Sequence, residues 1–135
     1  MDVSLWAAVV GIFAGAVGYY VPTFWIQPIL RYRDIRNRVV MEFIYYAQVI
    51  NAEGLNDEMQ ALYRERVKSN RKTSAELSAS ILDLPWLYLS YLRRTGLRPD
   101  HAASHLIGYS NNTDYDEAHK REAAIRRLLG LPPST

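Results

Sequence analysis

The stretch VSLWAAVVGIFAGAVGYYVPTFWIQPIL, residues 3–30, carries no charged side chain. The hydrocarbon core of a bilayer is about 30 Å thick and takes about 20 apolar residues in helical form, so this stretch is long enough to cross it with residues to spare. Trp6 and Trp25 bracket the expected span. At about 1.5 Å per helical residue their separation is roughly 28 Å, and Tyr19 and Tyr20 join Trp25 near one end, where aromatic rings favour the headgroup level. Two other readings stand beside the span. A buried core helix is usually interrupted by polar residues sooner. A cleaved secretory signal has a basic start and an apolar core of about 7–15 residues, whereas here no Lys or Arg precedes the apolar run and the run is longer.

Arg31, Arg33, Arg36 and Arg38 follow the apolar stretch directly, and only Asp2 precedes it. Basic residues beside a span stay on the cytoplasmic side. The expected topology is therefore N-terminus outside and C-terminal domain in the cytoplasm, with these four arginines at the lipid headgroups. The span also has a face of small residues. Ala7, Gly11 and Gly15 fall at steps of four, Gly18 lies four beyond Ala14, and Gly11-Ile-Phe-Ala-Gly15 is a GxxxG. Such spacing lets two helix backbones approach closely in lipid, so Ala7, Gly11, Gly15 and Gly18 are the expected oligomerisation face. Gly and Ala are also simply common in membrane helices. Pro22 and Pro28 each lack an amide hydrogen and crowd the preceding turn, which predicts a kink between Val21 and Ile29.

Of 135 residues, the anchor takes 1–30, which leaves roughly 100 for one small domain with a core of its own. The expected division is a transmembrane anchor at 1–30, a cytoplasmic helical bundle at 31–130 and a frayed tail at 131–135. The net charge is +2, and the arginines that set topology account for it, so the chain is not expected to bind nucleic acid. With no cysteine, disulfides, thiolate metal sites and a cysteine nucleophile are excluded.

After the arginines, Ile35, Val39, Phe43, Tyr46, Ala47 and Ile50 step by three and four and predict one buried helical face, stopped at 51–54. Asn56 and Asp57 cap the next helix, whose stripe runs through Met59, Tyr63, Val67, Leu77 and Ile81. Its centre lands on Asn70 and Ser74, and Thr73 with Glu76 reads as a capping box. One long helix with a polar inner patch is favoured over a break at 69–72. Pro85 opens a third element, apolar nearly all round from Trp86 to Leu92 and ending in Arg93 and Arg94. It is too short to span a bilayer. Two placements are open for it: the core of the bundle, or the lipid surface with Trp86, Arg93 and Arg94 at the headgroups, since a returning second helix would bring it back to the membrane. Gly96 and Pro99 separate it from a short helix capped by Asp100 and running through Ala103, Leu106 and Ile107. Asp114 and Glu117 start the last helix, with Tyr115, Ala118, Ala124, Ile125, Leu128 and Leu129 on its apolar side and Gly130 at its end. No useful length alternates with period two. The expected fold is all-α: one N-terminal transmembrane helix followed by a small antiparallel helical bundle.

Candidate chemistry is sparse. His101 and His105 share one face of a short helix, a spacing that can hold zinc, with Asp100, Glu117 or His119 as completing ligands. HAASH nevertheless lacks the glutamate of a zinc-protease helix, and no metal or other cofactor is expected. The hydroxyls, amides and acids at 109–116 read as a capped turn before they read as a sugar or phosphate site. Asn111 to Thr113 matches a glycosylation sequon, incidental in a cytoplasmic domain. Arg64, Arg66, Lys68, Arg71 and Lys72 read as solvated helix surface. No phosphate loop, nucleophile triad or paired carboxylates in a cleft emerges, and the chain is not expected to be an enzyme.

The strings Pro28-Ile-Leu-Arg-Tyr-Arg33, Leu106-Ile-Gly-Tyr-Ser-Asn111 and Ile125-Arg-Arg-Leu-Leu-Gly130 resemble a group of small, uncharacterised single-span bacterial proteins. That resemblance implies a bacterial inner-membrane setting and no activity or site residue. The expected function is a membrane-anchored scaffold or interaction protein that self-associates through its span, with membrane lipid and further copies of itself, or a membrane-protein complex, as partners. The alternative is a homo-oligomeric pore or transport-associated subunit, against which stands a span without an ionisable residue.

Overall fold

A computed structural model of the chain describes residues 2–47, 56–111 and 114–133, and all regular structure among them is helical. Helix α1 (Val3–Val21) is capped by Asp2, whose carboxylate accepts from the Ser4 amide. It passes through a π turn (Pro22–Ile26) into α2 (Gln27–Tyr45) without leaving helical conformation. The disturbance expected from the two prolines is confined to that turn, where the Gln27 N–H donates to the Pro22 carbonyl. A wider turn of this kind accommodates a locally disrupted hydrogen-bond ladder without breaking the helix. No residue of α1 is buried. The continuous helix Val3–Tyr45 is the one described helix long and apolar enough to cross a membrane.

Helix α2 presents Tyr32, Ile35, Val39 and Phe43 to the core; of the expected stripe Ile35, Val39, Phe43 and Tyr46 are buried, Ala47 is exposed and Ile50 lies outside the described residues. It ends at Tyr45, earlier than the expected Ile50, and the expected stop at 51–54 lies outside the described residues. Helix α3 (Asp57–Leu82) begins on Asn56, whose side chain accepts from the Met59 amide at 2.8 Å, and runs unbroken. Thr73 is therefore not a cap. Its hydroxyl donates to Glu42 of α2, and that of Ser74 donates to the Ala103 carbonyl. Small polar side chains compete with helix when they bond their own backbone. Here these two are engaged by neighbouring helices.

Five contacts fix how α2 and α3 pair. Tyr46 donates to Glu65, Ser69 and Thr73 donate to Glu42, Arg38 bonds Glu76, and Arg31 faces Asp83. Residue numbers fall on α2 as they rise on α3, so the two run in opposite directions. Helix α5 (Pro99–Ser110) packs on α3 in the same sense, with the Arg66 guanidinium on the Tyr109 carbonyl and Ser74 on Ala103. Helix α6 (Tyr115–Leu129) packs on α5 and contributes buried Ala118, Ile125 and Leu129. Pro99 opens α5 as its first residue, which suits its fixed φ and missing N–H. Asp100 therefore falls in the first turn instead of capping the helix.

The short α4 (Trp86–Arg94) and α6 end alike. Gly96 and Gly130 have φ of 80° and 69°. At each end the following residue, Leu97 or Leu131, reaches back with its amide to Leu92 or Arg126, the six-to-one bond of a Schellman cap. The two ends also touch. A Cβ on Gly130 would sit 3.2 Å from both methyls of Leu97, and the Arg98 amide donates to the Leu128 carbonyl. Of the expected frayed tail, Leu131 and Pro132 are held by Arg126 through the Leu131 amide and the Pro132 carbonyl. Gly130→Ala meets both a left-handed backbone, worth about 1–2 kcal/mol against a side chain, and the Leu97 methyls. It is expected to lower the stability of the helical domain by about 1–2 kcal/mol, measured by chemical denaturation followed by circular dichroism.

Candidate functional site

Ala7, Gly11, Gly15 and Gly18 lie on α1, every residue of which is exposed. A Cβ added to any of the three glycines would meet nothing within 4 Å. Nothing in this chain's own packing requires glycine there.

The four arginines after the apolar run divide. Arg33 points to solvent, Arg31 forms an exposed ion pair with Asp83 at 3.5 Å, and Arg36 bonds Asn37. Arg38 is drawn onto the helical domain by Asp34 and Glu76. Helix α4 lies on the outside of that domain. Only Leu92 of its residues is buried, Tyr88 packs edge-on against Tyr32 at 6.1 Å, and Trp86, Leu87 and Tyr91 are exposed. The placement of α4 at the centre of the core is thus corrected. Beside it a cleft of about 260 Å³ is walled by Ile81, Leu82, Leu89, Leu92 and Leu97, with Arg93 and Arg98 at its rim.

The interior holds a seam of buried polar groups, which includes the inner patch expected at Asn70 and Ser74 and extends beyond it. On α3 the inward residues are Arg66, Asn70, Thr73, Ser74, Leu77 and Ser80, so Arg66, expected on the solvated surface, is fully buried. Its guanidinium lies 4.6 Å from the centre of the Tyr109 ring and donates to the Tyr109 carbonyl at 2.9 Å. Stepping back by four from Ser74 and Asn70 reaches Arg66, the signal that could have found it. Asn70 itself is buried with neither amide atom hydrogen-bonded. On α6, buried Arg126 binds Glu122 one turn earlier at 3.0 Å and sits over the Phe43 ring. Tyr115, expected on the apolar side of that helix, is exposed.

Glu42 closes the seam from α2. One carboxylate oxygen accepts from Thr73 at 2.6 Å and Ser69 at 2.9 Å, and the other has no hydrogen-bond partner. Burial raises its pKa above the ordinary 4.5, and the hydrogen bonds from Thr73 and Ser69 offset only part of that. These bonds tie α2 to α3 at one carboxylate.

The histidines do not assemble a metal site. His101 contacts Arg98 and Asp100, His119 faces Glu122, and among the described residues no three His, Asp or Glu side chains gather. Within 109–116, Asn111 accepts from Arg71 and Asp114 caps α6; residues 112–113, with most of the sequon, lie outside the described residues.

These features define a class: an all-helical chain with one N-terminal helix long and apolar enough to cross a membrane, joined without interruption to a packed helical domain. Comparison with protein families, curated proteins and solved structures found no match to this chain. No residue role is therefore transferred from another protein, and the resemblance to small single-span bacterial proteins rests on the three short strings that suggested it.

Because the carboxyl of Glu42 titrates higher in the fold than in the unfolded chain, its stabilising contribution is complete below 4.5 and is lost as pH rises through the raised value. Glu42→Gln keeps an acceptor for Thr73 without the charge. The variant is expected to gain stability relative to the parent as pH rises from 4 to 7, and to match it at the acid end, measured as Tm across that range.

Proposed function

We propose that the protein is a membrane-anchored helical interaction protein. Residues 3–30 cross a bacterial inner membrane with the N-terminus outside. The remaining helices form an antiparallel bundle in the cytoplasm, and copies associate through the face of Ala7, Gly11, Gly15 and Gly18. Its biochemical role is scaffolding rather than catalysis. The observation that carries this reading is the helix Val3–Tyr45. Its first half is apolar with no buried residue, while its second half is an integral core helix of the domain. Water makes such exposure of Ile12, Phe13 and Val17 unfavourable, and lipid removes the penalty. Arginine, which resists translocation, follows the apolar stretch and supports the orientation.

The open space at Gly11 and Gly15 supports the association face, since close helix approach in lipid needs small residues and this chain offers nothing else to fill the space. Gly11→Leu and Gly15→Leu leave the helical domain untouched and are expected to convert cross-linked oligomers to monomers, read by cross-linking in native membranes followed by denaturing electrophoresis. Unchanged cross-linking in both variants would sink self-association through this face. Recovery of the parent chain in the soluble fraction without detergent would sink the anchor itself.

A further inference from the structure

We propose that the corner between α3 and α4 rests on the anionic lipid surface beside the span, with Trp86, Leu87 and Tyr91 entering the headgroup layer and Arg93 and Arg94 on lipid phosphate. This rests on the membrane-anchor reading and specifies a second lipid contact within it.

The register of α2 and α3 supplies the argument. The pair Arg31–Asp83 places the C-terminal end of α3 level with the first residues after the apolar stretch. Tyr32 against Tyr88 then places α4 at the same level. Tyr32 lies seven residues beyond Trp25, roughly 10 Å along the helix. A bilayer with headgroups is about 40–45 Å thick around a core of about 30 Å, so each headgroup layer is roughly 5–8 Å deep. An element packed on Tyr32 therefore lies along the outer boundary of that layer, within side-chain reach of it.

What the corner exposes matches that depth. Leu82 is 86 % exposed, Trp86 70 % and Tyr91 59 %, a concentration of large apolar groups that no described part of the chain covers. On α4, Leu87, Tyr91 and Arg94 step by four and three along one face, while Leu92 points into the domain. Aromatic and aliphatic groups flanked by arginine make an interfacial helix, inserted shallowly and drawn to anionic headgroups. Locally the charge is favourable. Arg93 and Arg94 stand at the C-terminal turn with no acidic residue in α4, and the nearby Asp83 is occupied by Arg31. A second copy of the chain would suit the apolar groups but not the clustered arginines.

The test uses the full chain with Trp6→Phe and Trp25→Phe, which leaves Trp86 as the sole tryptophan, reconstituted in phosphatidylcholine vesicles with and without phosphatidylglycerol. A reference chain carries Trp86→Phe and Tyr45→Trp as well; Tyr45 is exposed at the opposite end of α2, roughly 20 Å from Arg31. Trp86 is expected to be quenched by lipids spin-labelled near the headgroup and to be several-fold less accessible to acrylamide than the reporter at position 45. Phosphatidylglycerol is expected to widen the difference, and Arg93→Glu with Arg94→Glu to abolish that widening. Equal acrylamide access at both positions, in protein that floats with the vesicles, overturns lipid docking and leaves the anchor reading intact. Protection of Trp86 that disappears when the protein is diluted into excess lipid of the same composition assigns the face to a second copy and also overturns it. Failure of the chain to float with vesicles overturns both readings together.

Discussion

The pairing of α2 with α3 organises everything that follows in the chain. Apolar contact through Ile35, Val39 and Phe43 is joined by a ladder of polar bonds that fixes its register, with Glu42 accepting from two hydroxyls of α3, Arg38 on Glu76, Tyr46 on Glu65 and Arg31 facing Asp83. Apolar surfaces slide at small cost because burial is non-directional. A buried carboxylate tied to two hydroxyls does not slide, since a shift of one helical turn would leave it unpaired in a poorly solvating interior. That register returns the chain to the level at which the apolar stretch ends, and so decides where α4 lies.

The same logic explains why so small a core tolerates so many polar groups. Arg66 and the Glu122–Arg126 pair are nearly inaccessible to water, and buried ions are weak sources of net stability. Their effect is on specificity. Arg66 donates to a carbonyl and lies against an aromatic face that α5 supplies at this rotation. Arg126 joins α6 to Phe43 of α2 and to the Pro132 carbonyl. Each bond selects one rotation of one helix, which the modest apolar residues of α5, Ala102 and Ala103 among them, do not do by shape alone.

Much of this was legible in the sequence, and the parts that were not have a common cause. The all-helical class, the stripe of Ile35, Val39 and Phe43, the unbroken α3, the Asp114 cap and the Gly130 stop all follow from local periodicity and end signals, which depend on neighbours a few residues away. The rotation of α3 was legible only in part. The expected stripe through Asn70, Ser74 and Leu77 is buried, but Arg66 and Thr73 join it, and Met59, Tyr63 and Val67 are only half-buried. Arg66 and Thr73 are met inside by the Tyr109 carbonyl and by Glu42, partners remote in sequence. Sequence left two placements open for α4 for the converse reason: a segment apolar nearly all round reads alike whether its outer side meets protein or something else.

Continuity of the helix from Val3 to Tyr45 adds a constraint of its own. A flexible linker would let an anchor and a domain turn independently, but an unbroken helix fixes the phase of one against the other. The π turn is part of that phase. One additional residue in a turn displaces all later side chains by about 100° around the axis, so the direction of Tyr32 and Val39 relative to Gly11 and Gly15 depends on how Pro22 and Pro28 are accommodated. In the proposed assembly, copies joined through the glycine face would therefore present their helical domains to one another at a fixed angle. The rim of α4 would be held at one height along every span. Association in the bilayer and presentation of a surface beyond it then become a single geometric event, transmitted through the π turn between residues 22 and 26.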